Sequence, residues 1–202
     1  MNQLIFGVPL FKYYLDPTEI KINAEKKFEQ CEKFPINKPP SGWDCDLRTE
    51  FRSSRVNEYA HYYDDVMVRF TEDLGLDGGK CFIDESWINS YGLSENQEEH
   101  DHLPGFYSAI HYVKFNPDVH QPAVFTNPLI QLYSYMNNEI NYKKHPDYIL
   151  PDFTPEVKEG EILIFPSWLK HTVKRTTTDE HRITLAFNIN TMKGSNRRVF
   201  GQ

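Results

Sequence analysis

Residues 159–189 read EGEILIFPSWLKHTVKRTTTDEHRITLAFNI, and this run decides what kind of body the chain builds. It opens on the turn pair Glu159-Gly160, runs apolar through Glu161–Phe165 and breaks at Pro166-Ser167. It then resumes over His171–Arg175 and closes with His181–Ile189. In the closing segment Ile183, Leu185, Phe187 and Ile189 fall on one side of a period-two alternation, with Arg182, Thr184, Ala186 and Asn188 on the other. An arginine and a threonine two apart on a narrow inner face are costly unless an anion meets them. A guanidinium beside a hydroxyl is a good carboxylate clamp, whereas on a solvent-facing strand the same pair has no special meaning.

Working outward, the same period recurs upstream. Cys81–Tyr91 alternates so that Ile83, Trp87, Asn89 and Tyr91 share a side; Phe106–Phe115 and Pro122–Thr126 are further strands, and Leu4–Val8, stopped by Pro9, is the first. Short strands punctuated by Pro and Gly at this spacing suggest an antiparallel sandwich or barrel. Before Gly79 the period is helical. Asp16-Pro17 opens a helix over Thr18–Phe34, and Val56, Tyr59, Ala60, Tyr63, Val66, Met67 and Phe70 line one face of a second over Ser53–Leu74. Phe34–Asp46, with three prolines and a glycine, is a connector, and the irregular, tyrosine-bearing stretch Asn127–Lys158 is an inserted loop of the kind that covers a site. The pattern predicts a mainly β fold with N-terminal helices, a jelly roll or a generic α+β sandwich. It is one domain over 1–202, with helical support in 1–79, a β core in 80–190 and the insertion at 127–158.

Composition narrows the function classes. The 202 residues carry 22 Lys+Arg against 29 Asp+Glu, a net charge of −7, which argues against nucleic acid or an anionic membrane as the main partner. No stretch approaches the ~20 apolar residues of a membrane span, and the N-terminus lacks the basic start of a secretory signal. Three distant cysteines without a CxxC fit a reduced, cytoplasmic setting.

Among eight histidines, the informative set is His100-Asp101-His102 with the distant His171. Alternate residues of a strand share a face, so His100 and His102 project together and Asp101 points away. Two imidazoles so placed can chelate one transition metal, and His171, at the start of a later strand, is the natural third donor. A His-x-His in a polar stretch can equally be a solvated loop. His61, His111, His120, His145 and His181 carry no partner pattern, and Trp87 and Trp168 read as packing.

Together, His100-x-His102, the strand Tyr107–Phe115, the run Gly160 to His171 and Arg182-Ile-Thr-Leu-Ala-Phe-Asn188 resemble the iron(II)/2-oxoglutarate-dependent oxygenases, in a branch common in marine bacteria and phages. The resemblance spans about Cys81 to Ile189. It implies a double-stranded β-helix, the cupin-like jelly roll, holding iron(II) between its sheets. It further implies His100 and His171 as metal ligands, and Arg182, assisted by Thr184, on the far carboxylate of 2-oxoglutarate. Tyr112, Asn89 and Tyr91 would line the same pocket. One departure matters: the usual local form is His-x-Asp or His-x-Glu, and here the second position is His102. Either His102 replaces the carboxylate, or it turns away, or Glu98 supplies the carboxylate by strand parity; parity points Asp101 outward. The implied activity is a dioxygenase of hydroxylase type acting with dioxygen on a peptide or small molecule and releasing succinate and CO2. A non-catalytic metal- or carboxylate-binding jelly roll and a zinc hydrolase on a cupin-like barrel are the alternatives.

Overall fold

The computed structural model describes residues 3–5, 7–31, 45–46, 48–53, 59–130 and 150–192. Its elements run β1 (Gln3–Ile5), β2 (Val8–Tyr14), α1 (Thr18–Cys31), β3 (Cys45–Asp46), β4 (Arg48–Ser53), a 3-10 turn (Ala60–Tyr63) and α2 (Asp64–Asp73). They continue with β5 (Lys80–Tyr91), β6 (Asn96–His100), β7 (Tyr107–Lys114), β8 (Val124–Thr126), β9 (Asp152–Phe153), β10 (Glu161–Pro166), β11 (His171–Val173) and β12 (Arg182–Met192).

These strands form two antiparallel sheets. The larger runs β1-β2-β10-β7-β12-β5-β4 and the smaller β3-β6-β11-β8-β9. The two faces of the large sheet bury different things. Ile162, Ile164, Leu185, Phe187, Ile88 and Val113 pack with Ile20, Ala24 and Phe28 of α1 and Val66, Met67 and Phe70 of α2. Leu163, Phe165, Ile110 and Tyr112 face inward and pack with Phe125 and Leu169. Buried on both sides, β7, β10 and the Arg182–Phe187 half of β12 are almost wholly inaccessible, and each fully buried Leu, Ile or Phe is worth about 1.5–3 kcal/mol. The jelly roll with N-terminal helical support is the fold the sequence predicts.

The helices show their local causes. Asp16 caps α1, its Oδ1 accepting from the Thr18 backbone N–H at 3.0 Å. Spacing of four then carries Ile20, Ala24 and Phe28 onto the sheet.

Several expectations are corrected. The second helix does not begin at Ser53: Ser53 closes β4, which pairs with β5 as an edge strand, and α2 is only Asp64–Asp73. The apolar series is nonetheless buried at Tyr59 and Tyr63, so tertiary packing used the same residues without a continuous helix. Nor does Pro9 end the first strand: β2 runs on to Tyr14. Pro9 pairs with Leu4 of β1, whereas the β10 partners of β2 begin only at Phe11, so no ladder bond is lost on that side. The expected connector Phe34–Asp46 also ends in regular structure, since Cys45–Asp46 is a short strand on β6. Within the expected loop Asn127–Lys158, residues 131–149 lie outside the described residues, as does His145. The ends are tied together, Asn127 N–H and Nδ2 donating to the carbonyls of Pro151 and Leu150 at 2.9 Å, and β9 pairs with β8. No helix of the described residues is long and apolar enough to cross a membrane.

Candidate metal centre and anion pocket

The two sheets enclose a cavity whose polar walls come from both. β6, β11 and the turn after β6 supply Gln97, His100, His102 and His171; β5, β7 and β12 supply Trp87, Asn89, Tyr91, Tyr112, Arg182 and Thr184. The three histidines and the five pocket residues nominated from the sequence thus face one space.

His100 and His171 are directly paired across β6 and β11. His102 lies two residues beyond the strand, held by its N–H donating to the Ser167 carbonyl at 2.8 Å while its own carbonyl accepts from Gly105 N–H at 2.9 Å. The three imidazoles converge, each offering a ring nitrogen within 4.8 Å of the others. The rings thus share a face, though His102 reaches it from a turn and not from strand alternation. Asp101 points away, its Oδ1 accepting from Leu103 N–H at 3.2 Å.

Glu98 is not in the cluster. The parity argument for it fails on a bulge: His171 pairs with His100 but Val173 pairs with Gln97, so β6 uses three steps where β11 uses two. The extra residue turns Gln97 and His100 to the same side. Gln97, 4% exposed, is a polar cavity residue that sequence reasoning missed; alternation cannot find it. Trp87, read as packing, lines the cavity with its ring centroid 5.1 Å from that of His102.

Burial governs the electrostatics. It pulls the His100 imidazole below its ordinary range, pushes His102 down to about 3 with help from the neighbouring His100, and holds His171 far below the usual value. All three rings are neutral near pH 7 and keep a lone pair for a metal. The rings of Phe165 and Phe125 pack against His171, with centroids 4.9 and 5.8 Å away.

On the opposite wall Arg182 is 4% exposed. Its guanidinium carbon lies 4.1 Å from the Tyr91 ring centroid, and Nη1 donates to the Gln121 carbonyl. Among the described residues its Nε has no hydrogen-bond partner, and no carboxylate pairs with the guanidinium. Thr184 lies beside it on the same face. Tyr112 accepts from the Ala123 N–H at 3.1 Å, and burial pushes its phenol up to about 12, so it remains a neutral hydroxyl with its proton to donate. Three further histidines do structural work. His111 meets Tyr63 in the helix-side core, His120 donates Nε2–H to the Glu180 carbonyl at 2.8 Å, and His181 hydrogen-bonds Ser90 at 3.1 Å.

A jelly roll with clustered neutral imidazoles facing a buried guanidinium can hold a metal ion and an organic anion in one cavity. The family model described as "Putative 2OG-Fe(II) oxygenase" matches residues 85–188, just over half the chain. The chain belongs to that family, which uses iron(II) and 2-oxoglutarate. Solved structures share the fold at low identity. A prolyl-4-hydroxylase from Pseudomonas putida is 12% identical with TM-score 0.55, covering 89% of this chain and 91% of its own. The non-heme alpha-ketoglutarate-dependent carbocyclase SnoK from nogalamycin biosynthesis is 14% identical with TM-score 0.60, covering 94% and 83%. EctD from S. alaskensis with bound Fe is 15% identical with TM-score 0.53, covering 90% and 72%. No curated protein matches by sequence. The donor set fits the family's metal, since imidazole is a good iron ligand, and the guanidinium without an acid partner fits the dicarboxylate.

Proposed function

We propose that this chain is an iron(II)- and 2-oxoglutarate-dependent hydroxylase whose metal is held by His100, His102 and His171. One observation carries the reading: a buried guanidinium with no carboxylate partner among the described residues shares a cavity with three neutral imidazoles. A buried charge without a counter-ion is strongly unfavourable, so a site that keeps one is built for an anion. When bound, iron(II) with 2-oxoglutarate and dioxygen supplies the oxidation that places a hydroxyl on a substrate C–H bond, with succinate and CO2 as co-products.

The chain's own part is binding, orientation and dryness. Arg182 takes the far carboxylate of the co-substrate, Thr184 adds a hydroxyl beside it, and Tyr112 donates its phenolic proton into the same space. Asn89 and Tyr91 shape the wall below. Phe125, Phe165 and Ile110 keep water from the metal side. Substitution of the family's carboxylate by His102 leaves the metal one unit more positive, which strengthens its hold on an anionic co-substrate. The same substitution favours the second reading, a jelly roll that binds metal and carboxylate without turnover.

Succinate release by purified protein with iron(II), 2-oxoglutarate and dioxygen tests the proposal. Wild-type protein should release it, and Arg182→Ala should lower the rate about a hundredfold or more at modest 2-oxoglutarate, the scale of a lost buried charge pair. Tight binding of both ligands with no succinate would establish the second reading, and unchanged turnover in Arg182→Ala would remove the arginine from its role.

A further inference from the structure

The metal side and the anion side of the cavity belong to different sheets, and a side-chain hydrogen bond crosses between them next to the triad. Tyr91, at the end of β5 in the large sheet, donates its hydroxyl to Gln97 Oε1 at 2.8 Å; Gln97 lies on β6 in the small sheet. An amide oxygen can only accept, so the direction is fixed. Both partners are buried, at 1% and 4% exposure. Gln97 is held a second time, its carbonyl accepting from Thr172 Oγ1 of β11 at 2.9 Å, and Asn89 Nδ2 lies 3.5 Å from the Tyr91 hydroxyl. The Tyr91 ring is also the surface on which the Arg182 guanidinium rests.

We infer that Gln97 is a positioning residue that sets the span between the metal triad and Arg182, and so selects a co-substrate dicarboxylate by length. The inference rests on the function proposed above. The bulge in β6 gives the physical means: it aims Gln97 inward three residues before His100, so the strand that carries a triad histidine also grips the arginine's platform. A dicarboxylate bridging the two sites must match that separation. The hydrogen bond between sheets resists both widening and narrowing, and breaking it should loosen the match.

Calorimetric titration of anaerobic iron(II)-loaded protein tests this with three 2-oxo dicarboxylates: four-carbon oxaloacetate, five-carbon 2-oxoglutarate and six-carbon 2-oxoadipate. Gln97→Met keeps the volume and removes the acceptor; Tyr91→Phe keeps the ring under Arg182 and removes the donor, together with the hydroxyl's own hydrogen bond to the guanidinium. Each should weaken 2-oxoglutarate binding about tenfold, the scale of one buried hydrogen bond. Each should also narrow its preference over the shorter and longer acids, and the double variant should do no more than Tyr91→Phe alone. Retained iron affinity and a melting temperature within a few degrees of wild type mark the effect as one of span. A Gln97→Met or Tyr91→Phe protein that folds, binds iron and keeps the wild-type length preference overturns the inference alone. Wild-type protein that fails to bind 2-oxoglutarate overturns the proposed function with it.

Discussion

His100 and His171 stand directly opposite one another on paired strands, and each orients its ring in the same way. His100 Nδ1 is 2.8 Å from the Glu98 carbonyl, and His171 Nδ1 is 3.2 Å from the Leu169 carbonyl, in both cases two residues earlier in the chain. A carbonyl only accepts, so both Nδ1 atoms carry the proton and both Nε2 atoms carry the lone pair. The backbone thus sets the tautomer that would leave Nε2 free for a metal.

Among the described residues His102 has no such tether. Its ring is placed by contact, with ring centroids 5.1 Å from Trp87, 4.9 Å from His100 and 5.2 Å from His171. If it completes the metal site, His102→Ala should weaken iron(II) binding by about a hundredfold, as expected for loss of a group that fixes a metal. His102→Asp restores the family's usual His-x-Asp and should recover most of that loss. Anaerobic metal titration measures both, and wild-type affinity in His102→Ala would show that the ring stands aside.

The turn that carries His102 depends on the absence of a side chain at Gly105. A Cβ there would lie 2.8 Å from Ser167 Oγ and 2.9 Å from the His102 carbonyl. Ser167 cannot easily yield, because its hydroxyl shares a 2.8 Å hydrogen bond with Ser108, which donates to Asn188 Oδ1 at 2.9 Å. Gly105→Ala should therefore push the turn outward and weaken iron(II) binding about tenfold, within the range seen when orienting groups are lost. Metal titration alongside circular dichroism separates this from unfolding; a folded variant with undiminished affinity would dissociate the turn from the site.

What was legible in the sequence follows from where the ladder is regular. Along β12 the pairing with β5 is regular from Arg182 to Asn188, and the irregularity against β7 puts its extra residue in β7, so the two faces of β12 could be read residue by residue, and Arg182 and Thr184 do share the cavity. On β5 the reading holds for Trp87, Asn89 and Tyr91 but fails for Ile83. Asn188 pairs with Glu85 and Ile189 with Ile83, so Asp84 is an extra residue and Ile83 packs on the helix side. The bulge in β6 hid Gln97 in the same way. Period two is a property of an even ladder, and an inserted residue reverses it with no mark in composition. Strand β4 was illegible for another reason: its place comes from pairing with β5, a partner distant in sequence, and local propensity does not report such a contact.

His111 makes stability depend on pH through the helix-side core. It is fully buried, shares a 2.8 Å hydrogen bond through Nδ1 with the Tyr63 hydroxyl, and burial pushes it down to about 4, against which a backbone contact with Leu15 works only partly. The unfolded chain returns this imidazole to its ordinary value near ~6.5. Between those values the unfolded state binds the extra proton, so the contribution of His111 is present in full above pH ~6.5 and is lost as pH falls toward about 4. The loss amounts to about 3 kcal/mol at most for a shift of this size. Urea unfolding at intervals from about pH 7.5 to about pH 4.5 should show stability declining over that window. His111→Phe should start lower, since the Tyr63 hydroxyl loses its partner, but should show a shallower decline. Equal slopes in the two proteins would assign the acid sensitivity to other groups.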